Sequence, residues 1–379
     1  MKISCKQSDL SRGLSVVSHA VATRSTLPVL TNILMSTDDN RLKLSATNLE
    51  IGITCWVAAD VHEPGSITVP ARLLADFVTG LPQGVVEMSL SKGSYTLAVK
   101  SARSAANIKG MDAGEFPTIP SADTNDPPVL LDAATLKEMI GEVAFAAATD
   151  DARPMFTGVF TQIGEDKLTF ASADSYRLAV RSTSLSANGH PVGDILIPAR
   201  TLTELARILP SDGTVQMTVT PNRSQVLFHT EGMDLISRLI DSTFPAYQRI
   251  MPQKHDVRAV VDTGEFRAAA KSAALFARDS NNIVTVVVEQ GKSDGTEPGT
   301  VTLQANAEEI GDNTSLVNAA VDGKGMRIMF NVKYLTDVLA VIDTPEVALE
   351  MESAQKPGVV RPVGGTDYTY VIMPMHTMR

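Results

Sequence analysis

Acidic doublets, among them Asp38-Asp39, Asp150-Asp151 and Glu308-Glu309, are the closest this chain comes to a catalytic or metal-binding constellation. Paired carboxylates can hold a divalent cation, but each doublet lies in a polar, turn-forming stretch, which favours a solvated loop. The six histidines are scattered, with no pair at metal-ligand spacing. The sequence has no GxxxxGK[ST] phosphate loop, GxSxG nucleophile turn or HExxH zinc helix. Gly323 and Gly325 make only a GxG, which reads as a turn. No catalytic residue, metal or cofactor is therefore expected.

A different chemistry recurs. Arg72 follows the Ala of VPAR, Arg200 that of IPAR, and Lys333 closes FNVK; all three stand at the start of an expected helix, 128 and 133 residues apart. A cation in a first turn opposes the helix dipole, at a cost of about 0.3–1 kcal/mol when exposed. The acids four residues later, Asp76, Glu204 and Asp337, stand in the weaker of the two ion-pair orientations. Helix stability thus gives no reason for a cation at this place three times. A shared external anion does, and inheritance of a structural residue by duplication is the competing reading. Further basic residues line helix-like runs: Arg12 and His19 with Ser8 and Ser15, and Arg267, Lys271 and Arg278 opposite an apolar face of Phe266, Ala269, Ala270, Ala273 and Phe276 or Ala277. A solvated helix face is the plain alternative for each.

The elements that carry these cations repeat. SITVPARLLADFVTGLPQGVVEMSL from Ser66, DILIPARTLTELARILPSDGTVQMTV from Asp194 and MRIMFNVKYLTDVLAVIDTPEVALEM from Met326 each read strand, helix, turn, strand. RLKLSATNLEIGI from Arg41 matches KLTFASADSYRLAV from Lys167 and, more loosely, TVTLQANAEEIGD from Thr300. GEFPTIP from Gly114 matches STFPAYQRIMP from Ser242 and the final TYVIMPM from Thr369. Helix-like runs near 8–20, 133–148 and 264–278 open the three copies. This predicts three α+β domains of one fold, 1–124, 125–253 and 254–379, joined at SADTNDPP before Val129 and PQKH before Asp256. Each has two helices and roughly eight short strands, enough to bury one core.

Composition sets bounds. Hydrophobic residues make up 44% and charged residues 20% of the 379 positions, values of a globular protein. No stretch approaches the roughly 18–20 apolar residues of a membrane span, and the opening MKISCKQSDL lacks a secretory core. A cytoplasmic location without membrane contact is the expectation. Cys5 and Cys55 then read as reduced small hydrophobes, and the glycosylation patterns at Asn222 and Asn313 as accidental. The net charge of −10 runs against ordinary DNA binding, which uses basic surfaces.

The residues nevertheless resemble one family over the whole chain. Arg24 with TLPVLTNILM, VPAR, EFP, SADSYRLAV, IPAR, FPAYQRIMP, FNVKYLTDVL and the ending YVIMPM are, in order, similar to the bacterial DNA sliding clamp, the beta subunit of DNA polymerase III. The resemblance implies three clamp domains per chain and a head-to-tail homodimer. Two chains close into a six-domain ring with helices lining the pore and sheets outside. Such a protein is not an enzyme. It tethers the polymerase to duplex DNA for processive synthesis, independently of base sequence. The charge is then reconciled: a linked ring needs little affinity, cations are required only inside, and acidity can stay outside.

The resemblance also implies sites. DNA-facing positions are Arg24, Arg72, Arg200, Arg207, Lys271 and Lys333, with a loop holding Asp150, Pro154 and Met155, where relatives often carry polar and aromatic residues. A peptide pocket draws Phe156, Ala173, Ser175, Tyr176, Arg177 and Leu178 from the second repeat. Pro245, Arg249 and Ile250 continue it, and Val371, Met373, Pro374 and Met375 come from the third. Here Ala173, Ser175 and Tyr176 replace the Thr, Gly and His of many relatives. Methionine, proline and branched aliphatics suit an adaptable groove for several partners, ordinary core packing being the plain alternative. The implied occupants are the polymerase III catalytic subunit, the clamp loader, other DNA polymerases, ligase and mismatch-repair proteins. Each would present a Gln followed by a Leu-Phe-like pair, the Gln near Met373 and a chain end, HTMR, left to flank the groove. The subunit contact would set Ala106 and Ile108 against Leu275 and Phe276. A clamp paralogue with a resistance or repair role, and an enzyme on a repeated scaffold, are the alternative readings.

Overall fold

The computed structural model describes residues 1–91, 93–120, 127–150, 152–185, 193–292, 297–365 and 367–375. The expected linker SADTNDPP falls mostly outside them, as do Asp151 and the final HTMR. PQKH is irregular backbone, with Lys254 paired to Glu352 at 3.4 Å.

Among the described residues six helices carry the repeat: α1 (Gln7–Ser18) and α2 (Ala71–Thr79), α3 (Ala133–Val143) and α4 (Ala199–Ile208), α5 (Thr263–Ala277) and α6 (Val332–Val341). In α1, Leu10, Leu14 and Val17 recur at helical spacing and are fully buried. Gly13 lies among them because a Cβ there would stand 2.6 Å from Val57 Cγ2 and 3.0 Å from Leu44 Cδ1. Truncating one such leucine to alanine costs about 2–5 kcal/mol. Asp262 caps α5 by accepting from Glu265 N–H at 2.8 Å, and Asn331 caps α6 through Lys333 N–H at 3.0 Å. The first helix of the central copy is shorter than its apolar run: α3 stops at Val143, whose carbonyl accepts from the Ser172 hydroxyl at 2.5 Å, and a 3-10 turn follows.

The strands follow alternating burial, as in Val85–Leu90 and Thr214–Val219. Among the described residues they form three antiparallel sheets within two compact units. The first unit joins Met1–Ala134 to Glu204–Leu239. It holds a five-stranded sheet in the order Asp60–Glu63, Lys2–Lys6, Val85–Leu90, Thr96–Ser101, Ser104–Lys109. Its eight-stranded sheet runs Val129–Asp132, Thr214–Val219, Gln225–Thr230, Met233–Arg238, Ile51–Ala58, Arg41–Thr47, Asn32–Asp38, Ser66–Pro70.

The second unit joins Thr135–Thr203 to Ile240–Arg379. Its twelve strands begin Gly193–Pro198, Gly158–Ile163, Lys167–Ala173, Arg177–Ser184, Asp367–Ile372, Gly358–Pro362. They continue Glu346–Met351, Val257–Asp262, Gly311–Gly323, Gly299–Ala307, Ile283–Glu289, Met326–Asn331. The central repeat is thus shared between the units. Met233–Arg238 pairs with Ile51–Ala58 of the first copy, and Arg177–Ser184 pairs with Asp367–Ile372 of the third. Satisfying those strand edges in continuous sheets, not the repeat boundaries, decides which residues pack together.

Candidate functional site

An apolar groove lies where the strand Arg177–Ser184 meets Asp367–Ile372. The turn before that strand is built locally. Ser175 takes a positive φ of 85°, and Asp174 Oδ1 accepts from the N–H groups of Tyr176 (3.0 Å) and Arg177 (3.2 Å). Arg177 is pinned from three sides. Its Nε donates to Asp174 at 2.9 Å, Nη1 to Asp337 at 2.6 Å and Nη2 to Phe145 O at 2.9 Å. Its guanidinium lies 4.6 Å from the centre of the Tyr334 ring, on which Tyr176 stacks at 6.5 Å. Burial raises the Tyr334 phenol above its usual range, so the ring is neutral at physiological pH.

These contacts hold Tyr176 as a wall, 56% exposed. The floor is Ala173, Leu178 and Val371, all buried. Phe244 meets Phe156 edge-on at 6.2 Å and stacks on Phe160 at 5.4 Å. Met373 N–H donates to Tyr176 O at 2.8 Å and brings the methionine to the rim beside Pro245 and Ile250. The groove is open to solvent, with about 570 Å³ of empty space in and above it.

Ten of the thirteen expected pocket residues line this groove: Phe156, Ala173, Ser175, Tyr176, Arg177, Leu178, Pro245, Ile250, Val371 and Met373. Arg249 is exposed beside it, and Pro374 and Met375 lead away, with Met375 N–H bound to Met329 O at 2.8 Å. The chain is therefore tied down through Met375; the expected free end, HTMR, lies outside the described residues. Sequence reasoning missed Phe244, Ala246, Tyr247 and Pro357 as lining residues. The first three belong to the FPAY motif already in view; Pro357 carries no signal of its own.

The recurring cations stand at the second residue of α2, α4 and α6, as expected. Arg72 is 95% exposed and 3.7 Å from Asp76, and Lys333 pairs with Asp337 at 2.9 Å. In the central copy Glu204 turns instead to His19 at 2.6 Å and Arg207 at 2.9 Å. Arg24, Arg200 and Lys271 are exposed. Arg267 is not a free cation: its guanidinium donates to Leu339 O and Ile342 O, both at 2.6 Å, and satisfies carbonyls at the end of α6. Asp150 accepts from Ala152 N–H at 2.6 Å, while Met155 packs with Phe156 against the groove's core. Of the acidic doublets, Asp38 accepts the Trp56 indole N–H at 2.6 Å, and Glu308 and Glu309 are exposed in a turn. Among the described residues no group of three potential ligands is placed to hold a metal ion, and no helix is long and apolar enough to cross a membrane.

The expected contact residues divide. Leu275 is 73% exposed, whereas Ile108 is 3% exposed and belongs to the core; the exposed side chains of its strand are Ala105, Asn107 and Lys109. Ala106 and Phe276 are half-buried. On α5 it is Ala277, not Phe276, that completes the buried face.

A threefold α+β repeat with an open apolar groove and a cation at each second helix defines a clamp-type scaffold. Models of the DNA polymerase III beta subunit match throughout: its N-terminal domain over residues 1–120, its central domain over 130–246 and its C-terminal domain over 248–376. The beta sliding clamp of Synechocystis sp. is 33% identical over 395 residues, covering 99% of both chains. That of Staphylococcus aureus is 31% identical over 386 residues, covering 100% of both. Crystal structures of the DNA polymerase sliding clamp from Bacillus subtilis (27% identity, TM-score 0.91) and of the DNA polymerase III subunit beta from Pseudomonas aeruginosa (28%, 0.89) each cover all of both chains. The chain belongs to the DNA polymerase III beta-subunit family. Like its members it is a DNA sliding clamp, a non-catalytic partner of DNA and polymerase.

Proposed function

We propose that two copies of this chain close head to tail into a cytoplasmic ring around duplex DNA. Each copy contributes three domains, 1–124, 125–253 and 254–379. The groove of Leu178, Pro245, Val371 and Met373 docks the polymerase III catalytic subunit and the clamp loader. Other DNA polymerases, ligase and mismatch-repair proteins use it in turn, each through a short peptide. Arg24, Arg72, Arg200, Arg207, Lys271 and Lys333 face the phosphates, with the loop of Asp150, Pro154 and Met155 beside them.

Two open strand edges support the ring. Gly311–Gly323 corresponds to Ile51–Ala58 and Asp60–Glu63 taken together. Its second part, Ala319 to Gly323, pairs with Val257–Asp262, as Asp60–Glu63 pairs with Lys2–Lys6. Among the described residues its first part has no strand on the side where Ile51–Ala58 receives Met233–Arg238. The counterpart of Met233–Arg238 in the first copy is Ser104–Lys109, which ends its sheet with one edge unpaired among the described residues. Leu275, Ile310 and Leu316 are 73%, 54% and 61% exposed on the third copy, apolar surface that a partner would cover. Because the two edges differ, the contact is heterologous, and it closes at two copies when each turns through a half circle.

The observation that carries the docking role is the groove itself, apolar, open and held in shape by Arg177. A labelled peptide with a Gln and a Leu-Phe pair is expected to bind in the micromolar range, about 8 kcal/mol, its ordering entropy offsetting part of the contact. Deleting residues from Met373 onward should abolish binding while the dimer persists. Equal affinity for intact and truncated protein would refute the assignment.

A further inference from the structure

The turn that walls the groove is built a second time. In the first copy Leu49 takes a positive φ of 75°, where Ser175 has 85°. Asn48 Oδ1 accepts from the N–H groups of Glu50 (3.0 Å) and Ile51 (2.8 Å), as Asp174 does for Tyr176 and Arg177. Arg238 N–H donates to Glu50 O at 3.0 Å, as Met373 N–H does to Tyr176 O at 2.8 Å. Gly52 pairs with Ile236 as Leu178 pairs with Val371, and Phe116-Pro117 stands in the place of Phe244-Pro245. Together these residues frame a second groove with about 710 Å³ of empty space.

Its chemistry differs from the first. Gly52 has no side chain to set beside that of Leu178. The floor comes from the Cγ2 methyls of Ile119 and Ile236, each 3.0 Å from where a Cβ of Gly52 would lie. Leu49, 49% exposed, adds an apolar wall. On the rim Arg238 replaces Met373 and Glu50 replaces Tyr176. Arg238 is exposed, and its guanidinium has no ion-pair partner among the described residues.

We propose that this groove takes a short extended peptide with an aliphatic residue next to an acidic one. The aliphatic side chain covers Leu49, Ile119 and Ile236, and the carboxylate pairs with Arg238. Glu50, whose carbonyl accepts the Arg238 N–H, adds a carboxylate beside Arg238 that disfavours the peptide's acid anywhere but on the guanidinium. At the place of Arg238 the groove near Met373 carries that methionine, and at the place of Glu50 it carries Tyr176, so the two rims differ in charge at these positions.

The test is a titration of the full chain, labelled on its isoleucine methyls, with acetyl-Gly-Leu-Asp-Gly-amide and with its Leu-Lys counterpart. The methyl resonances of Ile119 and Ile236 should shift and saturate in about the millimolar range with the acidic peptide. The basic peptide should bind at least about fivefold more weakly, and Arg238→Glu should reverse that order. Arg238 lies exposed at a strand end, so the variant's unchanged methyl spectrum serves as the folding control. No shift at Ile119 and Ile236, shifts confined to Ile250, or a preference that ignores Arg238→Glu would each overturn the proposal. Binding of the Gln-containing peptide at the other groove is read separately at Ile250, so the two claims fail independently.

Discussion

Arg177 donates from Nη1 to Asp337 Oδ2 at 2.6 Å and so fastens the groove wall to helix α6. The same carboxylate holds Lys333 at 2.9 Å. Asp337→Ala removes this anchor but leaves Asp174 and Phe145 O on the guanidinium. The expected outcome is a stability loss of about 1–3 kcal/mol and a peptide affinity reduced about tenfold, as Tyr176 loosens. Denaturant melts and a peptide titration check both numbers; an unchanged affinity would mean that the wall does not depend on Asp337.

The dimer contact can be separated from the core. Leu275→Asp with Leu316→Asp places charge where a partner would cover it, yet both sites are exposed in the single chain. Sedimentation should show folded monomers at micromolar concentration, where the parent sediments as a dimer. Ile108→Asp should behave differently, lowering the melting temperature of the chain itself, because Ile108 is buried.

Arg24→Ala with Arg72→Ala should weaken loading on primed DNA without loss of fold. Each phosphate contact removed should lower the slope of log affinity against log salt by about 0.9. Electrophoretic binding at several salt concentrations measures that slope, and an unaltered value would remove both arginines from the DNA-facing surface.

Arg181 and Glu142 form a buried pair at 2.6 Å, the arginine 5% and the glutamate 6% exposed. Burial pushes the Glu142 carboxyl above the ordinary glutamate range, and Arg181 offsets part of that rise. Arg181→Met leaves the carboxylate without its partner, at a cost of about 3–5 kcal/mol. A carboxyl whose folded pKa is raised favours the fold when protonated, and this advantage is lost as pH rises from the unfolded value through the folded one. The deficit of Arg181→Met should therefore narrow in acid, and Glu142→Gln should restore part of it at neutral pH. Melts of the single and double variants across pH 4–8 test both points, a range set at about the glutamate value and above.

Much of this was legible before any coordinates. Periodic apolar positions in α1 and α5 and the landmarks VPAR, IPAR and FNVK set the threefold repeat and the cations on α2, α4 and α6. The groove's floor followed from a resemblance, because Leu178 and Val371 look like any strand core. What stayed hidden depends on which neighbour covers a face. Alternation puts Ala106 and Ile108 on one side of their strand but does not say that this side is the core. Helical spacing puts Arg267 near Lys271 yet is blind to the carbonyls of Leu339 and Ile342 that consume its donors. The division of the central copy between two units is equally invisible, since it arises from strand edges far apart in the chain.

The central claim is topological, and retention on DNA tests it directly. Protein loaded onto a nicked circular plasmid should remain through gel filtration in high salt and should run off when the plasmid is cut once. Equal retention on circular and linear DNA would mean that the chain binds by affinity, and equal loss from both would mean that it forms no closed ring.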